Sequence, residues 1–321
     1  MSIWTVSVWY NSDLRYTVTI FNQQENEMLI STRFIATTLV ISVVGLSACG
    51  GGEQRNVIQN KGSDTLVNVA QAWAEAYQEV DPTVVVAVSG GGSGTGIAAL
   101  INGTVDLANA SRAMKDKEID LAKKGGQNPI QHIVGYDALA VYLHNDNPMT
   151  KLGIDQLAEI YGDGGSYTSW TDLGVEVPGC QDQEIVVVSR QNNSGTYAYF
   201  RETVVGKKGD FKLGTRDMHG SKDVVDLVEN TPCAIGYSGL AYATDHVKLV
   251  CIAPTADGDC TSPTVASASE GSYPIARPLF MYTNGEPVGK VAEYLNWIKS
   301  DTGQCIILEK GYAPANEVSC N

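Results

Sequence analysis

Between residues 84 and 101 an uncharged apolar run, Val84 to Val88, gives way to Ser89-Gly90-Gly91-Gly92-Ser93-Gly94-Thr95-Gly96, then to a segment with Ile97, Leu100 and Ile101 at helical spacing. A buried strand that turns on glycines directly into a helix leaves the first helical N–H groups unpaired and aimed at one point, where an oxyanion can sit. Two other stretches share the design. Gly62-Ser63-Asp64-Thr65 precedes an amphipathic helix, and Asn193-Ser194-Gly195-Thr196 follows the apolar run Ile185 to Val188. Three such turns, each with a hydroxyl beside its glycine, can converge on one tetrahedral anion. The glycine stretch lacks the lysine and spacing of a P-loop, and no register fits G-x-G-x-x-G. Thr95 stands where a G-x-S-x-G nucleophile elbow needs glycine. Taken alone, the stretch could also be a flexible loop.

Charge narrows the partner. The chain has 321 residues and a net charge of −14; residues 1–49 contribute −1, leaving −13 on the remainder. Nucleic acid does not fit that balance. An acidic protein that holds an anion must use local dipoles and a few placed cations, because its overall field repels the ligand. Length and 43% hydrophobic content suit a soluble protein of about two lobes.

Residues 1–48 read as an export signal with an N-terminal extension. From Met28 onward come Arg33, an apolar run from Phe34 to Leu46 too short to cross a bilayer comfortably, and Leu46-Ser47-Ala48-Cys49. Residues 1–27 carry acidic groups and no apolar core suited to a signal, so Met28 is the expected start. The stretch ending at Cys49 resembles a bacterial lipobox, which implies cleavage before Cys49, lipid on its sulfur and a tether over residues 49–55. The protein is then exported to the periplasm or cell surface and held to the membrane by lipid alone. Six cysteines remain: Cys180, Cys233, Cys251, Cys260, Cys305 and Cys320. An even number in an exported chain argues for disulfides, with about fifteen pairings open. Sequence proximity favours Cys251 with Cys260 and Cys305 with Cys320, leaving Cys180 with Cys233. No C-x-x-C occurs and no histidine pair has metal spacing, so no metal is expected.

The remaining pattern alternates. Leu66, Val69, Ala70, Trp73, Ala76, Tyr77 and Val80 predict a helix that Asp81-Pro82 stops. Ser63, Asp64 and Thr65 ahead of it also suit plain capping. Val105 to Ala110 reads as a strand ending at Ser111-Arg112, and Lys115 to Lys124 as a solvated helix. Ile130 to His144 is a long β-rich run broken by Asp137, long enough to pass from one lobe to another. A strand from Ile185 to Ser189 leads into Arg190 and the third turn, which offers a guanidinium, a hydroxyl and helix-start N–H groups together. Later strands are expected at 234–237, 247–252 and 278–282, and helices around 224–228, 291–298 and 302–310, the last capped by Gly311. Strands joined through helices by short connections imply a mostly parallel sheet.

With these residues in view, the chain from about Asn56 to Asn321 resembles the substrate-binding protein of bacterial phosphate ABC importers, in the type II periplasmic binding protein superfamily. The resemblance is carried by Gly62 to Thr65, Gly92-Ser93-Gly94, Asp106 to Arg112, Arg190 to Thr196, Ala234-Ile235-Gly236-Tyr237 and Gly311-Tyr312. It implies an α/β fold of two lobes, each with a mixed, mostly parallel sheet, joined by two crossing hinge strands, with inorganic phosphate in the cleft. Lobe 1 would combine 56–138 with 247–321, lobe 2 would be 139–246, and the hinges would be Ile133 to Tyr142 and Tyr242 to Val247. The phosphate ligands implied are Ser63, Asp64, Thr65, Leu66, Ser93, Gly94, Ser111, Arg112, Arg190, Ser194, Gly195 and Thr196. The partners implied are permease subunits of an ABC importer, the protein itself being a monomer without cofactor or catalytic residue. Well-known members place a proton-accepting aspartate where this chain has Arg112, although a shorter-chain subgroup shares the serine-arginine pair. Asp137 is the expected substitute acceptor and Asp64 the second.

Two other classes compete. One is a binding protein for sulfate, molybdate or tungstate. The other is an exported phosphoester hydrolase with Ser93 or Ser194 as nucleophile and His219 or His246 as base.

Overall fold

The computed structural model describes the backbone of residues 4–9 and 15–20, and residues 56–320. The expected start, export segment, Cys49 and tether lie outside the described residues. Two units separate, Met1–Gly52 and Glu53–Asn321. In the first, β1 (Trp4–Trp9) and β2 (Arg15–Ile20) pair antiparallel, Trp4 opposite Ile20.

The second unit opens with strict alternation: β3 (Asn56–Gly62), α1 (Val67–Val80), β4 (Val84–Ser89), α2 (Ser93–Ile101), β5 (Leu107–Ala110) and α3 (Asp116–Lys124). β3 runs parallel to both β4 and β5, a pairing that needs the helical crossovers between them. α1 forms where Val69, Ala70, Trp73 and Tyr77 recur at helical spacing, and all four are buried. Next come β6 (Pro129–His144), β7 (Lys151–Gly153), α4 (Ile154–Tyr161), β8 (Val186–Arg190), α5 (Gly195–Val204), β9 (Arg216–Met218), α6 (Ser221–Glu229) and β10 (Ala234–Gly239). The chain ends with β11 (Val247–Leu249), β12 (Cys251–Ala253), α7 (Val265–Ser269), β13 (Ala276–Asn284), α8 (Gly289–Ile298), α9 (Asp301–Glu309) and β14 (Ala313–Pro314).

One mixed sheet carries the unit, in the order β4-β3-β5-β13-β6-β10-β8-β9, with β11 and β14 also on β6. β6 is the common member. Its residues 129–138 run against β13, and 139–143 against β10, both antiparallel. Side chains alternate across it: Leu139, Val141 and Leu143 enter one core with Tyr161, Phe200 and Ile235, while Ala140 and Tyr142 enter another with Val188, Val224 and Val228. The other end of the sheet repeats this, with Leu279 and Met281 of β13 facing Trp73 and Leu295, and Phe280 and Tyr282 facing Ile97 and Leu100. Both ends are therefore covered by helices on both faces, which explains the nearly continuous apolar strands.

The return to the first end comes later than the expected residue 247. β11 pairs with Tyr142 to His144 of β6, β12 pairs in parallel with β7, and Val250, Ile252, Tyr273 and Ile275 pack in the core with Leu139 and Phe200. The chain crosses back at β13. Disulfides join Cys180 to Cys233, Cys251 to Cys260 and Cys305 to Cys320, the pairing that sequence proximity favoured.

Candidate functional site

The three strand–turn–helix units meet at the middle of the sheet. β3 ends at Gly62, and Ser63 leads through a 3₁₀ turn, Asp64–Leu66, into α1. β4 runs into Gly91 and Gly92, whose positive φ values (108° and 89°) a side chain would strain, and α2 starts at Ser93. β8 ends on Arg190, and α5 starts at Gly195 behind Ser194. Gly195 is required for the approach of this helix: a Cβ there would lie 2.2 Å from Ser93 Oγ and 2.6 Å from Ser111 Oγ.

The meeting point is a buried polar centre. Ser63 Oγ donates to Ser111 Oγ at 2.9 Å, Ser111 N–H donates to Ser93 Oγ at 3.0 Å, and the two serine hydroxyls lie 3.3 Å apart. Thr65 Oγ1 and Thr196 Oγ1 share a 2.9 Å hydrogen bond across the two ends of the sheet. Ser63, Thr65, Ser93, Ser111 and Thr196 are all buried. Ser194 caps α5, its Oγ accepting from Thr196 N–H and Tyr197 N–H. Leu66 turns its side chain into the core while its N–H donates to Ser63 O, and Gly94 N–H donates 2.9 Å to Asn193 O.

Two ion pairs flank the hydroxyls. Arg190, almost wholly buried, donates to Asp64 Oδ2 at 3.1 Å, to Ser221 Oγ at 2.9 Å and to His219 O at 2.7 Å. Asp64 Oδ1 accepts from Gly91 N–H at 2.8 Å, and its backbone carbonyl accepts from the Tyr242 hydroxyl. Burial pushes the Arg190 guanidinium below its ordinary value, and Asp64 opposes the shift. The second pair is Arg277 with Asp137, both side chains at 0% exposure, bonded at 2.7 and 3.1 Å. Arg277 Nη2 also donates to Thr196 Oγ1 at 3.0 Å and Thr65 Oγ1 at 3.3 Å, and Nη1 donates to Ser111 O. Burial raises the Asp137 carboxyl above its ordinary value while Arg277 opposes it, and Oδ1 is buried with no hydrogen-bond partner among the described residues. Burying such groups is tolerable only because nearly every polar atom is wired to another.

Arg112 is not part of this centre. It forms a bidentate pair with Glu118 at 2.7 Å on each arm, holding the start of α3. Arg277, conversely, lies just ahead of the strand expected from Pro278 onward and is a residue of β13. The signal lies in a pairing: Arg277 is the cross-strand partner of Asp137, the residue that interrupts β6. Asn193 also acts across the centre, its Nδ2 donating to Gly91 O at 3.0 Å. Neither His219 nor His246 is hydrogen-bonded to Ser93 or Ser194. The His219 ring instead meets Gln191 Oε1, and His246 is exposed.

A sheet divided between two helical layers at one long crossing strand, with a buried polar centre at the crossing, is the architecture of a two-lobed binding protein. The chain belongs to the PBP superfamily, whose domain model matches residues 50–302. Among its relatives, the phosphate-binding protein PstS of Pseudomonas aeruginosa is 34% identical over 268 residues, 80% of this chain and 82% of that protein. Protein SphX of Synechococcus elongatus is 31% identical over 272 residues, covering 81% and 78%. A structure from Clostridium perfringens, described as a phosphate ABC transporter substrate-binding protein with bound phosphate, superposes with TM-score 0.71 at 28% identity, covering 81% of this chain and 100% of that one.

Proposed function

We propose that the protein binds inorganic phosphate in the cleft between its lobes and delivers it to a phosphate ABC importer. The observation that carries this reading is the buried hydroxyl cluster of Ser63, Thr65, Ser93, Ser111 and Thr196 with two guanidiniums beside it. Hydroxyls and arginine forks are the donors that a tetrahedral oxyanion needs. Relatives named for phosphate binding, and a related structure with bound phosphate, support the same ligand. In this reading Thr65, Leu66, Ser93, Ser111, Ser194, Gly195, Thr196, Arg190 and Arg277 surround the ligand, with Ser63 and Gly94 behind them. Asp64 and Asp137 balance the arginines. Asp137, with Oδ1 unpartnered, is the acceptor for the proton of hydrogen phosphate; both Asp64 oxygens are already engaged. Arg112 is left out.

Strand pairing supports lobes of 56–138 plus 276–321 and of 139–275. The Thr65–Thr196, Asp64–Arg190 and Gly94–Asn193 contacts each join one lobe to the other, so the arrangement is a closed one. A monomer exported and tethered by lipid at Cys49 completes the proposal. Among the described residues no helix is long and apolar enough to cross a membrane.

Titration calorimetry with phosphate, sulfate, molybdate and arsenate tests the ligand. Tight 1:1 binding of phosphate with weak sulfate binding is expected, and the reverse order would overturn the assignment. A chromogenic phosphoester should not turn over; sustained turnover lost in Ser93→Ala or Ser194→Ala would establish a hydrolase.

A further inference from the structure

Two tyrosines hold consecutive backbone carbonyls at the start of α1. The Tyr242 hydroxyl donates to Asp64 O at 2.6 Å, and the Tyr312 hydroxyl donates to Thr65 O. They reach α1 from different lobes. Tyr242 ends the 3₁₀ turn Leu240–Tyr242 that follows β10, within 139–275, whereas Tyr312 stands just before β14, in the same lobe as α1. Gly311 lets the two segments meet: its φ is 84°, and a Cβ there would lie 3.2 Å from Ala241 Cα, in the turn that carries Tyr242.

A trans peptide points its C=O and its N–H in opposite directions. Holding Asp64 O therefore fixes the aim of Thr65 N–H, and holding Thr65 O fixes that of Leu66 N–H, which closes the turn onto Ser63 O at 3.1 Å. Ser63, at the capping position, makes no side-chain cap bond and gives its hydroxyl to Ser111 instead. Among the described residues nothing accepts from Thr65 N–H, although Thr65 is only 1% exposed. A buried backbone donor is costly to leave unpaired, so this one belongs against a ligand. The hydroxyl of the same residue meets Thr196 and Arg277 in the polar centre. Burial, with the Asp64 carboxylate adding to it, raises the Tyr242 hydroxyl above its ordinary value, and burial raises that of Tyr312 as well, so both are donors at neutral pH.

We propose that Tyr242 and Tyr312 are positioning residues that aim Thr65 N–H at the bound oxyanion, and that Tyr242, standing on the other lobe, makes this aim depend on lobe closure. The inference rests on the phosphate reading and adds two residues that do not touch the ligand. Tyr312 presets the turn within its own lobe. Tyr242 completes it when the lobes meet, so its bond contributes to the closed state and not to the open one.

Tyr242→Phe and Tyr312→Phe remove one hydroxyl each and keep the ring. Calorimetry with phosphate, sulfate, molybdate and arsenate, on the native protein and both variants, should show each variant binding phosphate about 3- to 10-fold more weakly, the range of one lost hydrogen bond. In Tyr242→Phe the loss should appear as faster release with association unchanged, because phosphate meets the open lobes first. The Thr65 amide proton should shift downfield when phosphate saturates the native protein, and less in both variants, a readout that general stability does not move. A lowered melting temperature with affinity and amide shift as in the native protein would show purely structural hydroxyls and overturn the proposal. Native affinity in one variant alone removes that tyrosine from the role. Native protein that binds sulfate and not phosphate overturns the phosphate reading alone, since the same comparison made with sulfate still decides the tyrosines; native protein that binds no oxyanion overturns both.

Discussion

Asp137→Asn removes one charge from the most deeply buried ion pair among the described residues and changes little else in shape. The carboxylate and Arg277 are both without solvent exposure and are joined by two hydrogen bonds, so Arg277 is left with an uncompensated buried charge. Breaking such a pair costs about 3–5 kcal/mol, and each kcal/mol moves Tm by about 2–3 °C in a protein of this size, so the ligand-free variant should melt roughly 6–15 °C lower. Anions should then stabilise the variant more than the native protein, because the ligand supplies the missing charge, and by mass action a tenfold gain in affinity adds about 1.4 kcal/mol at saturating concentrations. Sulfate should gain more than phosphate. Phosphate loses an acceptor for its proton, whereas sulfate, which has no proton to give, loses only an unfavourable buried carboxylate. Differential scanning calorimetry with no anion, phosphate and sulfate reads all three effects. A ligand-free Tm within 2 °C of native would refute the desolvated pair; a phosphate-to-sulfate preference that survives unchanged would remove Asp137 as the discriminator.

Arg190→Ala removes the partner of Asp64 and a cation of the centre, and should weaken phosphate binding by about 2–5 kcal/mol, roughly 30-fold to several thousandfold; Arg190→Lys should recover only part, and native affinity in the alanine variant would place Arg190 outside the site. Gly195→Ala puts a methyl group within 2.2 Å of Ser93 Oγ, so calorimetry should show phosphate binding largely lost in a protein that still folds, and full affinity would contradict the helix placement. Asp172 accepts from the Ser169 and Thr168 N–H groups, which hold its carboxyl below the ordinary range. Its contribution to stability is therefore present above the unfolded-state value and lost as pH falls through the lowered one, so the stability gap between native and Asp172→Asn proteins should close on acidification. A gap that widens at low pH would reverse the sign. Cys49→Ser should leave the protein unlipidated and shift it from the membrane to the soluble fraction; unchanged retention would rule out the lipid anchor.

The parts of this site visible in the sequence are those written in local chemistry. Glycines between an apolar run and a helix at 89–96, and hydroxyls beside glycines at 62–65 and 193–196, announce helix starts that face a ligand, and the three turns do meet. The invisible parts depend on register. Arg277 is one arginine ahead of an apolar run until β13 lies against β6 and brings it opposite Asp137. Arg112 ends a strand as Arg190 does, yet Glu118 six residues on offers a bidentate partner and turns it away. The late crossing at β13 was hidden for a related reason: the apolar pattern of 247–253 fits a strand at either end of the sheet, and only pairing with β6 and β7 decides.

The insertion of β13 between β5 and β6 also sets an order of assembly. The strand that closes the first end of the sheet is made only after the whole of 139–275, so a chain that emerges N-terminus first must hold β5 and the leading part of β6 with open edges until Ala276 to Asn284 arrives. Such open edges invite pairing with other chains. Shortening the protein from its C-terminus through Arg277 would therefore do more than trim a lobe: it would reopen the sheet at its centre, next to Asp137, and leave that carboxylate without the arginine that faces it across the strands.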